Sequence, residues 1–261
     1  MISKISSKIG LILVLAVTVT AVPIGVFLVM NPAPATNGTV KLTLLSNAGV
    51  MIEANGLRIY IDPVNLTADY IKPADAVLIT HDHGDHYDSS IVQMLQKAGT
   101  VNVFPKMMTA AIAAHNGVGV SPREHAQVGL VNITAFYMYT FAPEGYNASH
   151  PRESNYTSYI IDVNGYTIFH AGDSKNIPEY ELLSGTIDVA LLPLGPGCQT
   201  MYRTEVVDAI QVIRPKYMVP IHFLGQEDLV FETYYADEVS LTTGCQIVRL
   251  PYFGSHTFDM Q

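Results

Sequence analysis

Thr80-His81-Asp82-His83-Gly84-Asp85-His86 follows directly on the apolar run Ala76-Val-Leu-Ile79, and its reading decides what this chain can be. Imidazoles at His81, His83 and His86 beside the carboxylate of Asp85 suit a borderline-soft divalent metal, whose preferred ligands are nitrogen and oxygen. If His81 and His83 stay near-extended past the strand end, both side chains project to one side and can grip one ion. Gly84 then lets the chain turn, so that Asp85 and His86 face a second ion.

Two further candidates stand in the same context, at the ends of apolar strands, where α/β sheets place their sites. Asp173 follows Thr167-Ile-Phe-His-Ala-Gly172, and His222 follows Met218-Val-Pro-Ile221. A shared carboxylate such as Asp173 can bridge two cations about 3.5–4 Å apart, and a hydroxide held between them is a nucleophile at neutral pH. The pattern therefore leads to hydrolysis, with Asp85 and Asp173 as the carboxylates closest to the chemistry.

Around these residues, strands are expected over Val40–Leu45, Gly49–Glu53, Leu57–Ile61, Ala76–Thr80 and Val101–Phe104. The second half adds Val131–Ala135, Tyr159–Val163, Tyr166–His170, Val189–Leu192 and Tyr217–Ile221. Asn55-Gly56 and Asn164-Gly165 are hairpin signals. Helical patterning covers Ser89–Ala98, Met107–His115 and Thr204–Ile213. The alternation is α/β in character, and no low-complexity segment divides residues 40–261, which read as one domain of about 220 residues.

The His-x-His-x-Asp-His run, the Asp of His170-Ala-Gly-Asp173 and the His of Pro220-Ile-His222 resemble the metallo-β-lactamase-fold hydrolases over nearly all of residues 40–260. Within that superfamily the likeness is greatest to the branch of ascorbate-6-phosphate lactonase-like and N-acyl-phosphatidylethanolamine phospholipase D-like proteins. Ile61-Asp62-Pro63, Asp85-His-Tyr-Asp88, Tyr146-Asn147 with His150-Pro151, and Leu192-Pro-Leu-Gly195 carry it.

The resemblance implies an αββα sandwich with a dinuclear metal site on one edge. It implies that His81, His83 and His150 hold the first metal, that Asp85, His86 and His222 hold the second, and that Asp173 bridges them. Some relatives place the third ligand of the first metal inside a strand, where this chain has Ala135-Phe-Tyr137, so His150 in the following loop must supply it. Ser46-Asn47-Ala48 stands where relatives often have Gly-His-Ala, a change expected to weaken a supporting contact, and Ser174 replaces a Thr while keeping the hydroxyl.

For Asp62 two readings stand, a carboxylate that orients a ligating imidazole and a plain strand-end acid. His170 has a supporting or purely structural role. His115, His125 and His256 lack ligand spacing and are expected at the surface or in turns. The stretch Phe136-Tyr-Met-Tyr-Thr-Phe141, with Tyr146, lines a substrate mouth or packs, and Gly195–Met201 is expected to be a loop near the metals. Zinc is the default ion, with manganese or iron compatible with a mixed nitrogen and oxygen site.

Composition limits the alternatives. With 49% hydrophobic and 14% charged residues the chain can build a core. Lys+Arg 14 against Asp+Glu 23 gives a net charge of −9, which argues against nucleic acid as a partner. Cys198 and Cys245 exclude a disulfide-rich scaffold and leave a single disulfide open.

Ile9–Met30 is uncharged and long enough, at about 1.5 Å per residue, to cross a hydrocarbon core roughly 30 Å thick. Lys4 and Lys8 precede it, so residues 1–8 are expected in the cytoplasm, 9–30 as a transmembrane anchor, 31–39 as a linker and 40–261 outside. A cleaved signal peptide, giving a secreted domain, is the competing reading, although its apolar region usually spans about 7–15 residues. Sequons at Asn37, Asn65, Asn132, Asn147 and Asn155 fit an exported glycoprotein. The expectation is a membrane-anchored, metal-dependent hydrolase of a phosphodiester, lactone or related ester. Its rivals are a phospholipid phosphodiesterase of the phospholipase D type and a non-catalytic metal- or partner-binding domain on the same fold.

Overall fold

The structure, a computed structural model, describes residues 38–260. The expected anchor Ile9–Met30, its flanks and the sequon at Asn37 lie outside the described residues. Among the described residues, no helix is long and apolar enough to cross a membrane.

Two seven-stranded sheets form the body. The first contains β1 (Thr39–Leu44), β2 (Val50–Ala54), β3 (Leu57–Ile61), β4 (Ala76–Leu78), β5 (Val101–Pro105) and β6 (Val118–Val120). The second contains β7 (His125–Val128), β8 (Val131–Tyr137), β9 (Thr157–Val163), β10 (Tyr166–His170), β11 (Val189–Pro193), β12 (Tyr217–Ile221) and β13 (Gln246–Ile247). The last strand, β14 (Ser255–Asp259), returns to the first sheet and pairs antiparallel with β1. Each sheet mixes both senses: β1 to β3 and β7 to β10 are antiparallel meanders, while β3 to β6 and β10 to β13 run parallel.

Strand periodicity sorts the layers. In β2 to β4 the side chains of Val50, Ile52, Ile59, Ile61, Ala76 and Leu78 enter the core between the sheets. Their neighbours Met51, Tyr60 and Val77 face the opposite way, against α1 (Ser89–Met94) and α2 (Thr109–Ala114). The second sheet is covered by α3 (Arg203–Ile213) and α4 (Glu227–Thr243), which bury Val206, Ile210, Phe231 and Val239. Val189 to Leu192 of β11 are accordingly buried on both faces. The order helices, sheet, sheet, helices is the expected αββα sandwich.

Several boundaries differ from expectation. α1 stops at Met94 instead of Ala98, because Gln96 turns its side-chain amide back to the Val92 carbonyl and Gly99 takes φ +86°. α2 begins at Thr109, not Met107. The strand expected to run to Thr80 ends at Leu78. The sequence does not announce α4, whose apolar residues form no continuous stripe and whose buried residues are only Asp228, Phe231 and Val239. Both hairpin turns form where Asn-Gly marks them, with positive φ at Asn55, Gly56, Asn164 and Gly165. Cys198 and Cys245 are both free.

Candidate metal centre

The strands β3, β4, β10 and β12 end at one edge of the sandwich, and the residues immediately beyond them converge. Asp62 follows β3, His81 follows β4, Asp173 follows β10 and His222 follows β12. Close approach of the two sheets here depends on Gly172. Its φ is +57°, and a Cβ would lie 2.6 Å from Met138 Sδ and 3.1 Å from the Thr80 side chain. Thr157 N donates to the Thr80 carbonyl (3.1 Å) and Tyr159 Oη to that of Ile79 (2.7 Å), tying the sheets together beside His81.

His150 Nε2 lies 3.2 Å from both His81 Nε2 and His83 Nδ1. That is the separation expected of imidazole nitrogens around a tetrahedral ion, roughly 3.3 Å for metal–nitrogen bonds of about 2.0–2.1 Å. Asp173 stands between this trio and a second group. Its Oδ2 is 3.9 Å from His81 Nε2, 3.7 Å from His150 Nε2 and 3.3 Å from His222 Nε2, and its Oδ1 is 3.1 Å from His86 Nε2. Asp85 Oδ2 approaches His222 Nε2 at 3.5 Å and His86 Nε2 at 3.8 Å. The structure thus brings all seven candidate ligands together.

The surrounding bonds fix which imidazole nitrogens face the cluster. Asp62 is fully buried at φ +49° and accepts from Thr80 N (2.8 Å) and from the Thr80 hydroxyl (2.7 Å). With its proton committed to Asp62, the hydroxyl oxygen accepts from His81 Nδ1 (2.9 Å). The same carboxylate accepts from His86 Nδ1 at 2.8 Å. Both rings are therefore held with Nε2 toward Asp173. The orienting reading of Asp62 holds for His86 directly and for His81 through Thr80, a residue the sequence did not single out.

His150 is positioned by Thr140, whose Oγ1 accepts from His150 N (3.1 Å) and whose N–H donates to the His150 carbonyl (2.9 Å). Gln199 fastens the same loop, accepting from Ser149 N (2.8 Å) and donating to the Asn147 carbonyl (3.1 Å). Asn47, where a weakened contact was expected, instead donates to the Asp85 backbone and carboxylate, each at 3.2 Å, while its own carbonyl accepts from His222 N (3.1 Å). The turn after His83 is closed by His86 N donating to the His83 carbonyl (2.9 Å) and needs no left-handed φ at Gly84.

Other candidates fall outside the cluster. His170 binds backbone only, at the Ala48 carbonyl (2.8 Å) and Gly172 N (3.1 Å), so it supports the strand end that carries Asp173 without touching a candidate ligand. His115, expected at the surface or in a turn, is buried between Phe104, Tyr87 and Ser89. His125 and His256 are exposed. Asp82 points away and accepts from Tyr156 Oη at 2.6 Å. Phe136 and Tyr139 pack in the core, and Phe141 and Tyr146 are exposed away from the cavity beside the cluster. That cavity, about 840 Å³, opens from Asn47, Asp85 and His222 onto Leu194, Tyr202 and Leu224, among others.

Charges are strongly perturbed. Burial drives His81 well below its ordinary value, with the neighbouring imidazoles adding to it, and pushes His150 down to about 4. Burial also opposes a charge on His86, but Asp173 and Asp62 outweigh it and raise that ring well above 6.5. The His222 ring 3.5 Å away holds Asp85 far below the usual carboxylate range. Burial would raise Asp173, yet the rings of His86, His222 and His150 lower it. Both Asp173 oxygens and His222 Nε2 are nonetheless buried without a hydrogen-bond partner. Orphaned lone pairs facing one another across about 3–4 Å are the arrangement a divalent cation satisfies, so the residues fit a metal.

Comparison with known proteins agrees. The family model described as Beta-lactamase superfamily domain matches residues 41–222. A UPF0173 metal-dependent hydrolase of Pyrococcus furiosus is 31% identical over 202 residues, covering 70% of this chain and 84% of its own length. One from Thermococcus onnurineus is 32% identical over 201 residues, with the same coverage. Among solved structures, Igni18, a metallo hydrolase from Ignicoccus hospitalis, superposes with a TM-score of 0.70 at 22% identity, over 85% of this chain and 100% of its own. The metallo-β-lactamase fold protein YhfI of Bacillus subtilis gives 0.65 at 14% identity, over 86% and 100%. A sandwich whose strand ends deliver a His/Asp metal-binding cluster, joined to these similarities, places the chain in the beta-lactamase superfamily, as a metal-dependent hydrolase of the metallo-β-lactamase fold.

Proposed function

We propose that this hydrolase cleaves a phosphodiester, lactone or related ester at a centre of two divalent ions, held by His81, His83 and His150 on one side and Asp85, His86 and His222 on the other, with Asp173 between them. The observation that carries this reading is the buried, hydrogen-bond-orphaned Asp173 carboxylate lying within 3.9 Å of four imidazole nitrogens drawn from both groups. When bound, such ions supply Lewis-acid stabilisation of developing negative charge and acidify water to near neutrality. Zinc suits the imidazole-rich set, and manganese or iron is compatible with it.

The protein's own part is orientation and access. Asp62 and Thr80 lock the rings of His81 and His86, so no reorganisation is needed when charge develops. His81, His86, His150 and Asp173 are fully buried, whereas Asp85 is 48% exposed on the cavity side. Substrate therefore enters past Asp85, Asn47 and His222, with its non-reacting portion against Leu194, Tyr202 and Leu224.

A panel of bis-p-nitrophenyl phosphate and lactones, assayed with and without chelator, tests this reading. Turnover should be chelator-sensitive, and His83→Ala and Asp173→Ala should lose metal and activity by more than the 10–100-fold typical of an outer-shell partner. Full activity without metal would sink it, and bound metal with no turnover on any ester would favour the non-catalytic binding domain.

The apolar side of the cavity supports a second reading, a membrane phospholipid phosphodiesterase. With it goes the proposal that residues 9–30 anchor the domain outside the cytoplasm, supported by the uncharged run behind Lys4 and Lys8. Hydrolysis of phospholipid vesicles in preference to soluble diesters separates this reading from the first.

A further inference from the structure

The loop that follows β11 carries a thiol into the open side of the centre. Cys198 Sγ, a carboxylate oxygen of Asp85 and a ring nitrogen of His222 lie within 4.8 Å of one another. Cys198 is solvent-accessible and in no disulfide. Its loop is fixed at several points. Gly195 N donates to the Met201 carbonyl (2.9 Å), the Thr200 hydroxyl lies against the carbonyls of Gly195 and Gly197, and Gln199 holds the His150 loop. Cys198 and Gln199 both adopt left-handed φ, 51° and 60°, a conformation that costs a non-glycine residue energy and that the surrounding bonds maintain.

The thiol does not stand alone. The His222 side chain is nine-tenths buried, and its Nε2, which faces Asp85 and Asp173, has no hydrogen-bond partner. The Asp173 carboxylate is fully buried with both oxygens unpartnered. These orphaned groups call for a cation, and Cys198 is the soft donor on the solvent side of that space.

We infer that Cys198 is a ligand of the second metal, joining Asp85, His86 and His222 and giving that position a thiolate the first position lacks. The inference rests on the reading of this centre as a metal site. Ligation forms a metal–sulfur bond, about 2.3 Å for zinc, and releases the thiol proton to solvent. A thiolate favours zinc over manganese at the second position and makes that position the one sensitive to oxidation and to thiol-blocking reagents.

Cobalt(II) substitution of the full chain tests this by absorbance. Ligand-field bands report that cobalt is bound, and a near-ultraviolet charge-transfer band reports a thiolate ligand. The expected result is both signals in the unaltered chain and in Cys245→Ser, with the charge-transfer band lost and ligand-field absorption kept in Cys198→Ser and Cys198→Ala. Ligand-field absorption without charge transfer in the unaltered chain overturns the assignment while leaving the metal centre standing. So does a charge-transfer band that survives in Cys198→Ala. Absence of any cobalt absorption overturns the metal reading and the inference with it.

Discussion

At the scale of single residues, Asp62 does more than its place before Pro63 suggests, because one carboxylate fixes two imidazoles, His86 directly and His81 through Thr80. Asp62→Asn removes the charge that makes those rings better donors, and should weaken metal binding about 10–100-fold with the circular dichroism spectrum unchanged. Unaltered affinity would return Asp62 to a plain strand-end role. Six of the seven candidate ligands were legible in His-x-His-x-Asp-His and in two strand ends, since metal chemistry constrains residue type and spacing, whereas His150 was reached only through the family resemblance. Asn47 was not legible, because its value lies in a left-handed φ and a reach to Asp85 from another strand pair. Away from the centre, burial opposes the charge on Asp75, yet Lys97 and the Arg58 N–H outweigh it and hold the carboxyl below its ordinary 3.8. A depressed folded value means that its stabilisation is fully present above the unfolded value near 4 and is lost as pH falls through the folded one. The melting-temperature gap between the unaltered chain and Asp75→Asn should therefore be open at pH 7 and close below about pH 4, as thermal melts across that range would show.

At the scale of elements, the most exacting position is the β10 end, where Gly172 lets the two sheets approach. Gly172→Ala places a Cβ against Met138 and Thr80 at a positive φ. The cost should be about 1–3 kcal/mol, read as a melting temperature lower by roughly 2–4 °C per kcal/mol. Elements with their own local signal were readable: the Asn-Gly hairpins, and α3 with its spaced apolar residues. Elements that owe their existence to neighbours were not. β14 presents a largely exposed, polar strand that forms by pairing with β1, β13 is two residues long beside β12, and α4 has no apolar stripe. Their stability is tertiary, so a local pattern could not announce them.

At the scale of the whole molecule, periodicity shows α/β character but not which sheet each strand joins. The sandwich became legible only through the likeness carried by the ligand motifs, which tie strand ends far apart in sequence to one point. A site assembled from the ends of both sheets couples metal to folding, because an ion bound only by the native state stabilises it by mass action. Saturation at a thousand times the dissociation constant should add about 4 kcal/mol per site, seen as a rise in melting temperature that chelator reverses. No metal-dependent shift would mean that the cluster is held by protons alone. The most direct measurement is the metal-to-chain ratio of the purified protein, taken with its turnover of bis-p-nitrophenyl phosphate and a lactone panel on the same preparation. About two ions per chain, with turnover that disappears as they are removed, is the predicted result; a ratio near zero or one with no turnover would contradict it.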